Sequence, residues 1–274
     1  MTVKNVTVEE QYKKYPPVWP RFVISAAVLL IVVLLTNYSI DLKGVNPKGV
    51  LIAKAALKGL VNPSWSLIVD TSTAGLMYML METLAIGFLG TVFGLVLALP
   101  LAFLASRNVC PRWVNLICLT LIAIIRAFPA FMYGIMFVKA VGPGAFAGVL
   151  SMTIGSVGML SKLLVEAIED LNPGIIEALD AAGCTTFEKI RYGIIPQLSS
   201  NIVSIVIYRL DINVKNASIL GVVGAGGIGA PLIFSIAKQS WREVSAMLLG
   251  LIVLVLILEY FSTKLRRKLS AGDR

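Results

Sequence analysis

The sequence predicts an all-α membrane protein with six transmembrane helices. Of its 274 residues, 57% are hydrophobic and only 14% are charged, and the mean hydropathy is +0.86. Soluble domains carry about 25% charged residues, so this composition is typical of an integral membrane protein. Six apolar stretches are each roughly 20 residues long, which is enough to cross the hydrocarbon core of a bilayer as a helix.

These apolar stretches define the predicted spans. They cover residues 22–40, 78–105, 113–138, 143–164, 198–223 and 244–261. We expect the first span to be retained as a helix, since no small-residue cleavage site follows it. In the second span we expect Pro100 to kink the helix. We expect Gly87, Gly90 and Gly94 to allow a close contact with a neighbouring helix.

The positions of Lys and Arg predict which loops face the cytoplasm. With the N-terminus inside, the cytoplasmic segments hold 14 of these residues and the outer segments hold 7. This twofold excess satisfies the positive-inside rule, so both termini are expected in the cytoplasm of a multi-pass inner-membrane protein. We divide the chain into residues 1–77 (cytoplasmic segment, first span and outer linker), residues 78–262 (the main membrane domain) and residues 263–274 (a basic cytoplasmic tail).

The outer linker contains one helical pattern, VLIAKAALKGLV at residues 50–61. Lys54 and Lys58 lie one helical turn apart in it, which suits a helix in the membrane–water interface. An ordinary solvated loop helix explains the pattern equally well.

The composition excludes several classes of function. The chain has no histidine, which removes the commonest general base and the commonest metal ligand. Cys110, Cys118 and Cys184 have neither a CxxC spacing nor an even count, so neither a zinc site nor a disulfide framework is indicated. The net charge of +9 comes from residues that flank apolar spans, so nucleic acid is not an expected partner. No catalytic residue, metal site or cofactor is predicted in this chain.

Residues 166–197 form a polar segment between two apolar spans, and its helix signals are strong. Asn172 is expected to cap a helix that begins at Pro173 and stops at Gly183. Thr185 and Glu188 form a Thr-x-x-Glu capping box for a second short helix, which is expected to end before Pro196.

The first of these helices is amphipathic. Ile175, Leu179 and Ala182 share one face, and Glu177 and Asp180 lie away from it. Two short amphipathic helices joined at a glycine corner predict a docking element, in which the apolar face fills a groove on a partner and the acidic residues meet its basic groups.

The same segment resembles the coupling loop of ABC-importer permease subunits. The pattern of that family is roughly Glu-Ala-Ala, three residues, Gly, nine residues, Ile, one residue, Leu-Pro. Glu177, Ala178, Gly183 and Pro196 match it, whereas Leu179, Gly193 and Ile195 depart from it at apolar positions. The resemblance extends over most of residues 78–262 and implies a type I ABC-importer transmembrane fold, similar to that of methionine importers. The ATPase-coupling residues that it implies are Glu177, Ala178, Leu179, Asp180, Gly183, Phe187 and Pro196.

The resemblance also implies the partners of the chain, which would be a transport subunit and not an enzyme. Two permease copies would form a homodimer in the lipid bilayer, together with two cytoplasmic ABC ATPase subunits and an extracytoplasmic substrate-binding protein. ATP and Mg²⁺ would bind to the ATPases, because no G-x-x-x-x-G-K-[ST] phosphate loop occurs in this sequence. When the ATPases close, the movement must be transmitted to the membrane domain as a mechanical force. A rigid capped helix can transmit such a force.

Three segments resemble the phosphonate-type permeases within that family. They are LVEAIEDLNPGIIEALDAAG at residues 164–183, YRLDINVKNASILG at residues 208–221 and VGAGGIG at residues 223–229. The implied solute is a phosphonate or a related phosphorus oxyanion such as phosphite. An importer of an amino acid, such as the methionine type, shares the coupling loop and is the alternative, although the charged fifth span argues against it.

The fifth span carries the polar residues that are costliest to place in a membrane. On a helix, Arg209, Asn213 and Asn216 form one stripe, and Asp211, Lys215 and Ser218 form another. Charges within a span should face a bundle interior or a water-filled path. Two interpretations stay open. Either these residues line the translocation pathway, with Arg209 and Arg126 offering positive charge to an anionic solute, or they form interhelical ion pairs that hold the bundle together.

Two other motifs have structural explanations. The sequence Arg126-Ala-Phe-Pro129 interrupts the third span and either kinks a structural helix or shapes the inner gate. Residues 224–229 match G-x-G-x-x-G, but a membrane span precedes them where a dinucleotide fold needs a strand. We expect these glycines to let chain segments pack closely.

Two rival classes fit the sequence less well. A membrane-embedded enzyme would need facing acids or histidines. A passive channel would not need a capped docking element.

Overall fold

The computed structural model describes residues 19–39 and 49–271. The predicted cytoplasmic segment before the first span, the start of the outer linker and the last residues of the basic tail lie outside the described residues.

Every regular element in the described residues is a helix, which confirms the predicted all-α fold. The helices are α1 (Trp19–Ser39), α2 (Gly49–Val61), α3 (Trp65–Val69), α4 (Leu76–Ala105), α5 (Arg112–Ala127), α6 (Ala130–Val141), α7 (Ala145–Glu169), α8 (Pro173–Ala181), α9 (Thr186–Glu188), α10 (Ile195–Leu220), α11 (Gly229–Ala237) and α12 (Trp241–Ala271). A π turn (Lys189–Ile194) joins α9 to α10, and a 3₁₀ turn (Gly221–Val223) follows α10. Five helical segments are long and apolar enough to cross a membrane, and the bent pair α5–α6 brings the number to six.

The chain divides within α2, between Ala53 and Lys54, into two compact units. The first unit contains α1, whose described side chains are nearly all exposed. The second unit contains the core and all the helices that follow α2.

The core of the second unit lies where α4, α7 and α10 meet. A Cβ atom at Gly90 of α4 would overlap Met152 of α7, and one at Gly94 would overlap Ser156. A Cβ atom at Gly87 would lie 2.7 Å from Val214 of α10. The predicted close contact at these glycines is therefore confirmed, and it brings the backbones near enough for side chains of all three helices to meet.

The same contact continues along α7 with larger apolar residues. Leu160, Leu164 and Ile168 are fully buried, and they pack with Ala98 and Ala102 of α4 in one cluster. Small residues on one helix facing large residues on the other give the dense packing that holds the helix pair in register.

The third predicted span is a broken helix and not a continuous one. α5 ends at Ala127, α6 begins at Ala130, and the two are bent by 82°. Pro129 has no N–H, so the carbonyl of Ile125 loses its helical hydrogen-bond donor. The Tyr133 hydroxyl replaces that donor, at 2.9 Å from the Ile125 oxygen. Nearby side chains commonly satisfy backbone groups freed by proline within a membrane, and here one stabilises the corner.

Replacing Tyr133 by Phe should destabilise this corner, because the Ile125 carbonyl would lose its donor in an apolar setting. We expect the free energy of unfolding to fall by about 0.5–1.5 kcal/mol, which is the net contribution of one hydrogen bond, since Ile125 and Tyr133 are only half-buried. Thermal unfolding of the purified protein in detergent measures this loss. Tyr78→Phe is the matched control, since the Tyr78 side chain is 51% exposed. Equal melting temperatures for the two variants would contradict the role of Tyr133.

Two further elements differ from the sequence expectations. α11 is a short helix between the fifth and sixth spans, where the sequence analysis predicted no helix. α12 runs through the sixth span to Ala271, so Lys264 and Arg266 lie on the last turns of a long helix. Hydropathy marks only the apolar part of such a helix, and the helix itself continues until a stop signal such as Gly or Pro ends it.

Candidate functional site

The polar segment at residues 166–197 begins with the helix that its caps predicted. Asn172 Oδ1 accepts a hydrogen bond from the Gly174 N–H at 3.0 Å, and Pro173 is the first residue of α8. At the other end, Gly183 has a φ of +75°. The N–H of Gly183 donates to the Asp180 carbonyl, and the N–H of Cys184 donates to the Leu179 carbonyl, both at 3.0 Å. This pair of bonds is a Schellman motif, whose left-handed residue favours glycine.

The second part of the segment combines a confirmed cap with a correction. The capping box is present, since the Thr185 hydroxyl accepts from the Glu188 N–H and Glu188 Oε2 accepts from the Thr185 N–H at 2.7 Å. The prediction that this helix ends before Pro196 is wrong, because the chain continues through the π turn directly into α10. Pro196 lies in the first turn of α10, where its missing N–H is tolerated. The wide π turn also accommodates a ring that would crowd the carbonyl four residues earlier in a regular helix.

The apolar face of α8 packs against the chain itself. A Cβ atom at Gly193 of the π turn would lie 2.5 Å from Leu179 Cδ1 and 4.0 Å from Ile175 Cγ2. Both side chains stay half-buried, so the expectation that they also fill a groove on a partner stays a prediction. Asp180 is also engaged internally, since its carboxylate forms an ion pair with Lys189 across the glycine corner. A helix of nine residues needs such contacts, because its hydrogen bonds alone do not stabilise it in water.

Other residues form the outward surface of the segment, which we call the coupling surface. Glu177 and Ala178 are exposed on α8, and Phe187 and Tyr192 expose 68% and 65% of their surface. The Arg191 guanidinium lies 5.6 Å from the centre of the Tyr192 ring. Exposed aromatic side chains next to arginine are typical of a protein contact surface. The sequence analysis missed Tyr192, although an aromatic residue in a segment predicted to be cytoplasmic was an available signal.

In the fifth span, Arg209 and Asn213 point into the core between α4, α7 and α10. Arg209 is only 5% exposed, and its Nε donates to Ser156 Oγ at 3.2 Å. Asn213 is fully buried, and its Nδ2 lies 2.8 Å from Thr91 Oγ1 and 2.7 Å from Ser156 Oγ. We call these four residues (Thr91, Ser156, Arg209 and Asn213) the buried polar cluster. Thr91 and Ser156 were not predicted, since a lone hydroxyl in an apolar span is usually bonded to its own helix.

The buried polar cluster has unused hydrogen-bonding capacity. Besides Ser156, the Arg209 guanidinium contacts Met159 Sδ, a weak acceptor, at 2.8 Å. No carboxylate lies within ion-pair distance of Arg209 anywhere in residues 19–39 and 49–271. Asn213 Oδ1 is buried and has no hydrogen-bond partner. A buried cation without a counter-charge is costly in a membrane and is a candidate functional residue for that reason.

The second predicted stripe has different surroundings. Lys215 and Asp211 form an ion pair of 2.9 Å, one turn apart on α10. The pair lies within one helix, and no interhelical ion pair of the fifth span occurs among the residues that the structure describes. Asn216 and Ser218 are half-buried, and Ser218 Oγ has no hydrogen-bond partner.

The structure brings Arg126 and Arg209 to the same face of α7. A Cβ atom at Gly155 would lie 3.4 Å from a terminal nitrogen of Arg209. One at Gly158 would lie 2.9 Å from Arg126 Cγ. Residues three apart share one face of a helix, so both arginine side chains contact this face of α7, where Arg126 is exposed and Arg209 is buried.

The glycine-rich turn packs closely, as predicted. Gly224, Gly226 and Gly227 have φ values of +86°, +79° and +71°, which favour glycine. The Thr83 hydroxyl on α4 accepts from the Ile228 N–H at 2.9 Å, which fastens the turn to the bundle. A 3₁₀ turn precedes these residues and α11 follows them, so the strand that a dinucleotide site needs is absent from this part of the described chain.

Comparisons with known proteins agree with this geometry. Residues 90–270 match the family described as binding-protein-dependent transport system inner membrane component. The phosphite transport system permease protein PtxC of Stutzerimonas stutzeri is 38% identical over 69% of this chain and 69% of its own length. The putative phosphite transport system permease protein HtxC of the same organism is 36% identical over 68% of this chain. That match covers 66% of HtxC, so the chain spans about two thirds of these relatives.

A solved structure shares the fold. The inward-facing MetNI methionine ABC transporter aligns with a TM-score of 0.62 and 23% sequence identity. The alignment covers 71% of this chain and 95% of that one.

Proposed function

Because the chain belongs to the family of binding-protein-dependent transport system inner membrane components, we propose that it is the permease subunit of an ABC importer for phosphonate or a related phosphorus oxyanion such as phosphite. The family consists of multi-pass inner-membrane transport subunits, and the ATPase of such a system is a separate chain. The predicted membership of this family and the absence of an ATPase role for this subunit are therefore confirmed.

The observation that carries the proposed solute is the uncompensated positive charge of the buried polar cluster. The planar guanidinium of Arg209 has more N–H donors than its two contacts use, and its fork matches the oxygens of a phosphorus oxyanion. Arg126 adds a second cation on the same face of α7. The names of the phosphite permeases among the relatives support the same class of solute.

We further propose that the six polar residues of the fifth span have separate roles. Arg209, Asn213 and Asn216 would line the translocation pathway in one of its states, as would Ser218, whose hydroxyl is unpaired. Asp211 and Lys215 would lie beside that pathway as an ion pair, in which the two charges compensate each other.

We propose that the ATPase acts on the permease through the coupling surface. Members of the family work with ATPase subunits and a binding protein, and we propose that the ATPase contacts Glu177, Ala178 and Phe187 on the cytoplasmic side. Gly183 and Pro196 would shape the segment, and Leu179 and Asp180 would hold it rigid through their contacts with the π turn and Lys189.

The helical path from this surface to the polar cluster is continuous. From Tyr192 the chain reaches Arg209 without a loop, along about 25 Å of helix at 1.5 Å per residue. A displacement of the coupling surface would therefore move α10 as a rigid rod. In this assembly two permease copies form a homodimer, both termini are cytoplasmic, and ATP and Mg²⁺ bind to the ATPases.

Uptake measurements test the proposed function. The permease, its ATPase and its binding protein are expressed in a bacterial host that lacks phosphite and phosphonate uptake. We expect growth on phosphite or methylphosphonate as the only phosphorus source, and ATP-dependent uptake of the same solute. Uptake of methionine without uptake of either phosphorus compound would favour the amino-acid alternative and overturn the proposed solute.

A further inference from the structure

A cavity of about 740 Å³ lies at the opposite end of α12 from Lys264 and Arg266. Its walls are the end of α2, the turn before α3 and the first residues of α12. The backbone holds these segments together, because the Ser64 N–H donates to the Arg242 carbonyl at 3.0 Å and the Ser245 hydroxyl donates to the Leu60 carbonyl at 2.9 Å. The cavity shares no lining residue with the coupling surface or the buried polar cluster.

The lining of the cavity is positively charged. It contains Lys58 and Arg242 as cations and Glu243 as the single carboxylate. The Glu243 carboxylate accepts a hydrogen bond from the Ser235 hydroxyl at 2.9 Å, which directs one of its oxygens toward α11. Arg242 Nε donates to the Asn62 carbonyl at 3.4 Å, and this bond holds the guanidinium at the wall. One net positive charge therefore faces the cavity.

A buried hydroxyl in the lining has no partner. The Ser64 Oγ atom is inaccessible to solvent and makes no hydrogen bond within the described chain. A hydroxyl can both donate and accept, and leaving it unpaired in a buried position is unfavourable. Because Ser64 lines the cavity, a rotation of its side chain on ligand binding would bring this hydroxyl to a ligand oxygen there.

The residues that line the cavity indicate a position near the membrane surface. Trp241 is the first residue of a candidate membrane span, and both Trp241 and Trp65 line the cavity. Tryptophan is enriched where the hydrocarbon core meets the lipid headgroups. α2 carries Lys54 and Lys58 one turn apart, and both are exposed, which suits a helix lying in that layer.

We propose that this cavity binds a phosphate group, presented by the headgroup of an anionic phospholipid or by a free phosphate anion. Lys58 and Arg242 neutralise its charge, and the Ser64 hydroxyl donates to one of its oxygens. Gly59 allows α2 and α12 to approach closely beside the site, because a Cβ atom there would overlap Trp241 and push the two helices apart. The cavity contains none of the residues of the proposed translocation pathway, so the proposal does not rest on the solute that the permease carries.

Lipid retention tests the proposal. The full-length permease is purified in nanodiscs of equal parts phosphatidylglycerol and phosphatidylcholine, and native mass spectrometry counts the lipids that stay bound. We expect wild type to retain phosphatidylglycerol, and the double variant Lys58→Gln with Arg242→Gln to retain about 25-fold less, because each cation near an anionic headgroup contributes about 5-fold. Ser64→Ala should lower retention without changing the net charge.

The single variant Lys58→Gln should retain about 5-fold less phosphatidylglycerol, and Lys54→Gln is its matched control, because it removes the same charge from the same helix outside the cavity lining. Retention as low in Lys54→Gln as in Lys58→Gln would mean general attraction to the membrane and would overturn the site. The second source is tested by calorimetric titration of inorganic phosphate into permease in pure phosphatidylcholine nanodiscs. Binding that needs Lys58 and Arg242 would identify a free anion as the ligand. If neither lipid retention nor phosphate binding depends on these two residues, the proposal is wrong.

Discussion

Arg209→Met should strongly reduce transport of the phosphorus oxyanion and leave the membrane domain at least as stable as wild type. The guanidinium is buried without a carboxylate among the described residues, so replacing it by an apolar side chain of similar length removes a desolvated charge. The free energy of unfolding should be unchanged or higher by about 1–3 kcal/mol. Uptake should fall by about 10- to 100-fold, because a hydrogen bond to a charged group contributes about 1.5–3 kcal/mol.

Two measurements on the same purified complex separate function from structure. Uptake is measured in proteoliposomes with the ATPase and the binding protein, and thermal unfolding is measured on the permease in detergent. Arg209→Lys keeps the charge and should retain part of the uptake, although the ammonium lacks the planar fork. If Arg209→Met instead lowers the melting temperature and leaves uptake intact in the remaining folded protein, Arg209 has a structural role and the proposed pathway is wrong.

Gly183→Val should uncouple ATP hydrolysis from transport. The residue has a φ of +75°, which is strained for a β-branched side chain, and the Schellman bonds at this corner depend on that conformation. A left-handed conformation costs an L-residue about 1–2 kcal/mol, so the corner would relax and α8 would lose its orientation against the π turn. We expect uptake to fall by about 10-fold while the ATPase continues to hydrolyse ATP.

The environment of Gly183 makes this a test of conformation alone. Among the described residues other than its chain neighbours, no atom lies within 4 Å of the position that a Cβ would occupy, so the added Cβ itself meets no steric barrier. Gly183→Asn is the matched control, since asparagine tolerates the left-handed conformation, and it should keep most of the uptake. Wild-type uptake in both variants would show that the corner does not transmit force. Loss of uptake in both variants would indicate that the surface at this residue contacts the partner directly.

The sequence was informative wherever the cause of a structure lies within a few residues. The cap at Asn172, the stop at Gly183 and the capping box at Thr185 all formed as predicted, because each depends on hydrogen bonds between residues two to five apart. The small residues of α4 were also correctly predicted as contact positions, since glycine in a membrane helix has few other uses.

The prediction at Pro196 failed because a proline in an apolar helix has two outcomes. Pro129 broke the third span into α5 and α6 at the predicted interruption, whereas Pro196 was absorbed into the start of α10. The two cases differ in their surroundings. The Tyr133 hydroxyl donates a hydrogen bond that stabilises the sharp corner at Pro129, and the π turn before Pro196 lets the helix continue.

By itself, the sequence determined that the chain crosses the membrane as helices, that residues 166–197 form a capped polar segment and that the fifth span carries unusual charge. These properties follow from composition and from short-range patterns. Only the tertiary structure decided which way the side chains face. It turned Leu179 inward onto Gly193, left Phe187 exposed, and placed Arg209 and Asn213 against Ser156. Helix periodicity groups residues on a face, but the neighbour that covers the face comes from a distant part of the chain, and no local pattern encodes it.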